Sequence, residues 1–461
     1  MIEKKKAESI LNKLMSTGGS FSEIFLQKKV SGSLKLDDGK IENSTNGYDM
    51  GAGLRLFFKD STFYAYVDSL DFDKLMNAAK VLSAAVDGSS IDRSLDLRSL
   101  SNDFRASVLI NPSDVEPSIK RDMLFDVDKI CRDYSSAIIQ LTSSLSYSQE
   151  DIFIANSEGI YTEEHLVKSI LSISVIASKG ANVKTGYKSM AKTCGFEMFD
   201  NRAYEKPAIE ASKIAVKMLD AVNAPSGQLP VVIGPAFGGV IFHEACGHGL
   251  EADAIIKDAS VYKDKIGKKI ANKIVNAVDD SSMPSHFGSY KFDGEAYPSA
   301  KNVLIKDGIL LNYIFDYKSA KKLKGCQTGN GRRNSYRDIP YPRMSNTYID
   351  VGNHDPAGII KSVNKGIYAK EFAGGQVDPA TGDFVFGISE GYLIENGTIT
   401  FPIKGATLIG NGPEILHKIE AIGNDLDFAP GFCGKNGQSI TNEVGQPTIL
   451  VSNITVGGTS L

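Results

Sequence analysis

A chain of 461 residues, 42% hydrophobic and 23% charged, has the composition of a globular protein and is too long for one ordinary core, so two or three domains are expected. Its 51 basic and 55 acidic side chains leave a net charge of −4, which gives no electrostatic case for a nucleic-acid or anionic-membrane partner. No run approaches the roughly 20 apolar residues of a membrane span, and no apolar signal core follows the lysine-rich start. Five scattered cysteines (Cys131, Cys194, Cys246, Cys326, Cys433) make no disulfide framework, which points to a reducing cytoplasm.

The first predicted element is a helix near Ile2–Met15, with Ala7, Ile10, Leu11 and Leu14 on one face. A strand at Phe21–Lys28 follows, then a hairpin through Asp37-Asp38-Gly39, a second hairpin of Leu54–Phe58 with Thr62–Val67, and a helix at Phe72–Val86. The polar stretch Asp87–Ser113 reads as a linker. A second unit opens with a helix near Ile119–Tyr134. It continues through extended segments at Ala137–Tyr147, Ile152–Asn156, Leu166–Ser178 and Tyr187–Glu197, and closes with a helix at Ala208–Ala221. The order helix, strands, helix recurs. Ala224-Pro225-Ser226-Gly227 marks the next boundary, followed by a buried strand at Leu229–Ile233 and an apolar helix. Beyond it, Asp307-Gly308 joins Val303–Ile305 to Ile309–Tyr313, and Glu395-Asn396-Gly397 joins Gly391–Ile394 to Thr398–Ile403.

Strands and helices do not alternate, so the fold class is α+β. The expected division is two mixed helix and antiparallel-sheet units, 1–90 and 115–223, then a hairpin-rich β domain, 226–461, with a metal-bearing helix.

That helix reads I-F-H-E-A-C-G-H-G-L-E-A-D from Ile241. Two histidines at i and i+4 share a helix face; here they stand at i and i+5, about 140° apart on an ideal helix. Both reach one ion only if the helix widens locally or ends near His248 so that the chain turns back. Gly247 and Gly249 permit either distortion. Glu244, directly after the first histidine, is placed to take a proton from water and pass it to a leaving amine. A catalytic zinc usually has three protein ligands. The third is open among Glu251, Asp253, Cys246, Cys326 and Cys433, the last in a glycine-flanked turn, Pro430–Lys435. Lys263, Lys265, Lys268, Lys269 and Lys273 form a basic cluster that reads as a solvated segment.

At these residues the chain resembles the TldD/PmbA metallopeptidase family, on its TldD side. The resemblance runs on through Gly329–Arg333 with Ser335–Arg337, and Pro342–Met344 with Asn346-Thr347. It continues through Gly374–Asp378, Lys404–Gly410, Gly423–Asp425, Cys433–Lys435 and Val456–Thr459. It implies a zinc peptidase acting on unfolded or short extended peptides, with one Zn²⁺ held by His243, His248 and Cys433 and with Glu244 as general base. It also implies a dimer, either of this chain or with a related PmbA/TldE-type subunit lacking the metal motif. A peptide added as a strand to a sheet edge fits Gly374–Val377, with Gly375 and Gln376 as substrate-binding candidates. Tyr336 and Arg337 are candidates for binding the peptide or its oxyanion, against the alternative of a structural ion pair. Glu251 and Asp253 are candidate acceptors for a ligand imidazole N–H. The rival readings are a non-enzymatic protein-binding regulator of the DNA gyrase modulator type, and the metal-free partner subunit.

Overall fold

The computed structural model describes residues 2–89, 95–102, 104, 106–378 and 380–458. Residues 90–94, 103 and 105 of the expected linker and Thr459 of the last motif lie outside them.

Both N-terminal units contribute to one sheet. Strand Phe21–Asp37 pairs antiparallel with Lys40–Phe58 on one side and with Ile138–Asn156 of the second unit on the other. Ser61–Val67 extends one end; Ile160–Lys179, flanked by Asn182–Lys192 and the short Arg98–Ser99, forms the other. Side chains alternate across a strand. Ile24, Leu26 and Leu36, with Leu141, Leu145, Phe153 and Ala155, therefore point to one face. There they meet the helices Lys4–Met15, Phe72–Ala84, Pro117–Tyr134 and Glu205–Lys217. Phe25, Gln27, Ile152 and Ile154, on the other parity, look toward the C-terminal half.

The separate extended segments expected at Ala137–Tyr147 and Ile152–Asn156 are one strand, Ile138–Asn156. The hairpin through Asp38 and Gly39 is far longer than its apolar pattern suggests. Lys40–Asp49 is exposed and polar, and it is strand because Phe21–Asp37 pairs with it residue by residue. Tyr187–Glu197 is shifted: the strand ends at Lys192, and a 3₁₀ turn, Phe196–Arg202, follows.

The C-terminal half contains a closed barrel. Gly227–Ile233, Ile449–Gly457, Thr407–Asn411, Asp383–Glu395 and Lys365–Val377 pair in that order, and the last returns to the first. Val231, Ile233, Ile367, Phe386, Leu408 and Val451 are buried in its core, and Ile241, Phe242 and Ala245 of the following helix join the same cluster. A second sheet runs Ile309–Leu310, Lys301–Lys306, Ala277–Asp280, Asn346–Ile349, Gln438–Gln446, Asp427–Lys435. The helix leaving the barrel packs against Asn346–Ile349 and Gln438–Gln446 of this sheet, and that contact builds the site.

Candidate metal centre

The helix carrying the first histidine is short, Val240–Ala245, and the next residues form a 3₁₀ turn, Gly247–Leu250. Cys246 breaks the helix at φ −126°, ψ −48°. This is the second of the two ways in which an i, i+5 pair can converge: the helix stops and the chain turns back. The glycines act differently from the expectation. Neither Gly247 nor Gly249 has positive φ. A Cβ on Gly247 would lie 2.2 Å from Met344 Sδ, and one on Gly249 would lie 2.8 Å from the Tyr262 ring. They are small so that the turn can seat against its neighbours.

Cys433 comes from the edge of the second sheet and stands within strand Asp427–Lys435, not in a glycine-flanked turn. The turn is Asn436-Gly437, both at positive φ, as a two-residue hairpin loop requires. Ligand atoms of His243, His248 and Cys433 all lie within 4.8 Å of one another. Cys433 Sγ is 3.4 Å from His248 Nε2, and the imidazole rings meet edge to face with centroids 5.1 Å apart. His243 and Cys433 are buried. Burial pushes the Cys433 thiol up, but hydrogen bonds and charge from His243 and His248 outweigh it and bring the thiol down to about 4. A buried thiolate facing two imidazoles is a donor set of the kind that suits a borderline divalent ion such as zinc. The residues present fit such a metal.

Glu244 Oε2 lies 3.6 Å from His248 Nε2, with the carboxylate one-third exposed and therefore open to water. His248 Nδ1 meets Glu251 Oε2 at 3.0 Å, which fixes the ring with Nε2 toward the cluster. Glu251 is also bonded by Lys435 Nζ at 2.8 Å, and Lys435 reaches Asp253 at 2.6 Å. Asp253 thus accepts from Lys435 and, among the described residues, makes no bond to an imidazole. Burial opposes the charge of Glu251, but Lys435 and His248 hold its carboxyl well below the usual range. Asn442 Nδ2 sits 3.3 Å from Nε2 of His243, and buried Arg343 donates to the Cys433 carbonyl at 2.6 Å.

Lys435, Asn442 and Arg343 were missed in the sequence, yet a signal existed for two of them. Reading Asn436-Gly437 as a two-residue turn pairs Cys433 with Ile440 and Gly431 with Asn442, as observed. Period-2 alternation then puts Gly431, Cys433, Lys435 and Asn442 on one face.

The other candidates make contacts of their own. The Tyr336 hydroxyl bonds Asp49 at 3.0 Å and Asp68 at 2.5 Å, and the Arg337 guanidinium bonds the same two carboxylates. Their contacts, which tie the C-terminal half to the N-terminal sheet, favour the ion-pair reading. Gly375 and Gln376 are exposed on the barrel strand Lys365–Val377. Among the described residues, the barrel's first strand pairs only with Ile367–Ala369 of it, and Gly374–Val377 is bonded on one side alone, to Phe384–Gly387. Cys246 is buried and Cys326 exposed; both are free thiols. The five lysines of the basic cluster are exposed.

Comparison with known proteins supplies the class. Matches to the domain 1, central and C-terminal domains of the PmbA/TldA metallopeptidases cover residues 22–86, 110–219 and 226–458. A metalloprotease TldD homolog of Buchnera aphidicola is 36% identical over 97% of this chain and 95% of its own length. One of Haemophilus influenzae is 38% identical over 95% and 93%. The chain therefore belongs to the PmbA/TldD family of metallopeptidases. The fold is shared with TldE from Thermococcus kodakarensis (TM-score 0.80, 18% identity, 98% of this chain and 99% of that one). It is shared equally with a Thermotoga maritima protein described as a candidate modulator of a DNA gyrase (TM-score 0.81, 19% identity, 98% and 99%).

Proposed function

We propose that this metallopeptidase is zinc-dependent, that His243, His248 and Cys433 hold the ion, and that Glu244 is the general base in cleavage of unfolded or short extended peptides. The observation that carries the reading is the convergence of a thiolate and two imidazoles, from segments 185 residues apart, beside a half-open carboxylate. Zinc bound there supplies Lewis acidity that polarises the scissile carbonyl and acidifies the attacking water. Glu244 takes the proton of that water and returns it to the leaving amine nitrogen. Glu251 and Asn442 orient the two imidazoles, and Lys435 neutralises Glu251. The one-sided strand Gly374–Val377 offers backbone donors and acceptors to an extended peptide, with affinity drawn from the main chain and little side-chain selection.

The enclosing partner is proposed as a second copy or a TldE-type subunit, because a peptidase accepting any extended backbone must be shielded from nascent chains. A cytoplasmic setting fits five unpaired cysteines. Among the described residues, no helix is long and apolar enough to cross a membrane.

The test combines metal analysis with digestion. About one zinc per chain and cleavage of an unstructured peptide, mapped by mass spectrometry, are expected. Glu244→Gln should keep the zinc and lower kcat by at least about 10²-fold. Absence of zinc from freshly purified, folded protein would instead favour a protein-binding regulator. Mass measurement in solution, alone and with a TldE-type chain, tests the partner.

A further inference from the structure

The sheet face turned away from the four N-terminal helices is not fully covered. Between it and the C-terminal half lies a cavity of about 340 Å³, within the usual range of small-ligand sites, about 300–1,000 Å³. Its floor is the alternate residues of three adjacent strands, among them Gln27, Glu150, Glu164 and Lys168. Its roof includes Phe432 and Thr441, which pair across the hairpin on the face opposite Cys433 and Asn442.

The cations of the wall differ in their pairing. Lys29 has Glu150 at 2.9 Å. Lys168 is buried, and among the described residues its Nζ bonds only neutral oxygens: the Phe287 carbonyl at 2.7 Å and Thr441 Oγ1 at 2.5 Å. Arg332 spends Nη1 and Nη2 on the carbonyls of Met344 and Thr441. Arg333, its side chain 1% exposed, bonds Glu23, yet its Nε has no partner among the described residues. Burial, with the nearby Arg332 charge, pushes the Lys168 amine down to about 7 against the opposing pull of Glu150, Glu164 and Glu443.

The wall also says which anion. Glu164 and Asp293 line the cavity, and burial pushes the Glu164 carboxyl up to about 7. With Glu150, the wall carries three carboxyls against the four basic side chains Lys29, Lys168, Arg332 and Arg333, an excess of one that fits a single carboxylate better than a phosphate dianion or a polyanion. Phe25, Phe287, Phe292 and Phe432 supply apolar wall, and Phe287 and Phe432 meet edge to face at 5.6 Å. We propose that this cavity binds the free carboxylate end of a short peptide with an apolar or aromatic last residue, Lys168 being its counter-ion. The site is separate from the metal cluster and does not depend on the zinc reading.

The test uses the full-length Glu244→Gln chain, which should not consume its ligand. Calorimetry compares N-acetyl-alanyl-phenylalanine with its C-terminal amide. The acid should bind at least about 10-fold tighter, as for a hydrogen bond to a charged group. Lys168→Met should abolish the difference. Phe432→Ala, at a position 59% exposed and so tolerated by the fold, should weaken the acid several-fold while keeping its advantage over the amide. Binding should also survive removal of metal by a chelator. Equal binding of acid and amide, no binding of either, an unchanged preference in Lys168→Met, or loss of binding on chelation would each overturn the proposal.

Discussion

Lys435 joins two segments that no local sequence links. It follows Cys433 by two positions on the same strand face, and its ammonium pins Glu251, which holds His248. Lys435→Met would strand a buried carboxylate, at a cost of about 3 kcal/mol, and would loosen the imidazole. Metal affinity is expected to fall by about 10–100-fold, as for loss of other groups that orient a ligand. Competition with a chromophoric chelator and urea unfolding read the two effects, and unchanged values in both would remove Lys435 from the site's support. At this scale the sequence was uneven. His243, Glu244 and His248 fall within one short motif and could be read directly, whereas Cys433 needed the family resemblance, because a separation of 185 residues from His248 carries no spacing information. Tyr336 and Arg337 are candidates only through the family resemblance, as part of the motif Ser335–Arg337. Their partners, Asp49 and Asp68, lie in the other half of the molecule, where no sequence pattern could point.

The element that decides the site is the break after Ala245. A regular helix would throw His248 away from His243; ending it at Cys246 lets a 3₁₀ turn bring the second imidazole back. That turn sits close against Met344, so Gly247→Ala must push a methyl group into the sulfur. Such overpacking costs about 1–3 kcal/mol. The turn also carries a metal-cluster residue, so metal content should fall along with the thermal midpoint. A variant that keeps both would show that the turn has slack. The helices of the N-terminal half were legible to within a few residues, since amphipathic periodicity marks them, whereas the short helices Tyr317–Leu323, Pro356–Ser362 and Gly412–His417 were not. Strand lengths were not. Lys40–Asp49 has the composition of a loop, and only its antiparallel neighbour makes it strand. Barrel closure was equally hidden, because the bond between Lys365–Val377 and Gly227–Ile233 joins strands over a hundred residues apart.

The two halves of the molecule meet through buried charge. Arg55 and Glu23 on the N-terminal sheet face Glu295 and Arg333 of the C-terminal half, all with side chains no more than 1% exposed. Glu164 belongs to the same interface, accepting from the amides of Lys291 at 2.6 Å and Phe292 at 3.3 Å. With its carboxyl pushed up to about 7 by burial, it keeps a proton in the folded chain that the unfolded chain has lost above about pH 4.5. Its contribution to stability therefore diminishes as pH rises from about 5 to about 8. Glu164→Gln cannot ionise and keeps an oxygen acceptor for one of the two amides, which bond separate carboxylate oxygens. Its stability relative to the parent should rise across that window, as read from urea midpoints at several pH values, and a flat difference would contradict the buried acid. The shared N-terminal sheet also bears on how the molecule is made. Strand Phe21–Asp37 has one neighbour close behind it, but its other neighbour, Ile138–Asn156, emerges more than a hundred residues later. At about 5–20 residues per second of synthesis, that edge stands open for roughly 5–25 seconds. Arg55 waits longer still for Glu295. A ribosome making this protein thus displays a bare strand edge and an arginine with only the first of its two carboxylates, an invitation to whatever chaperone shields such edges first.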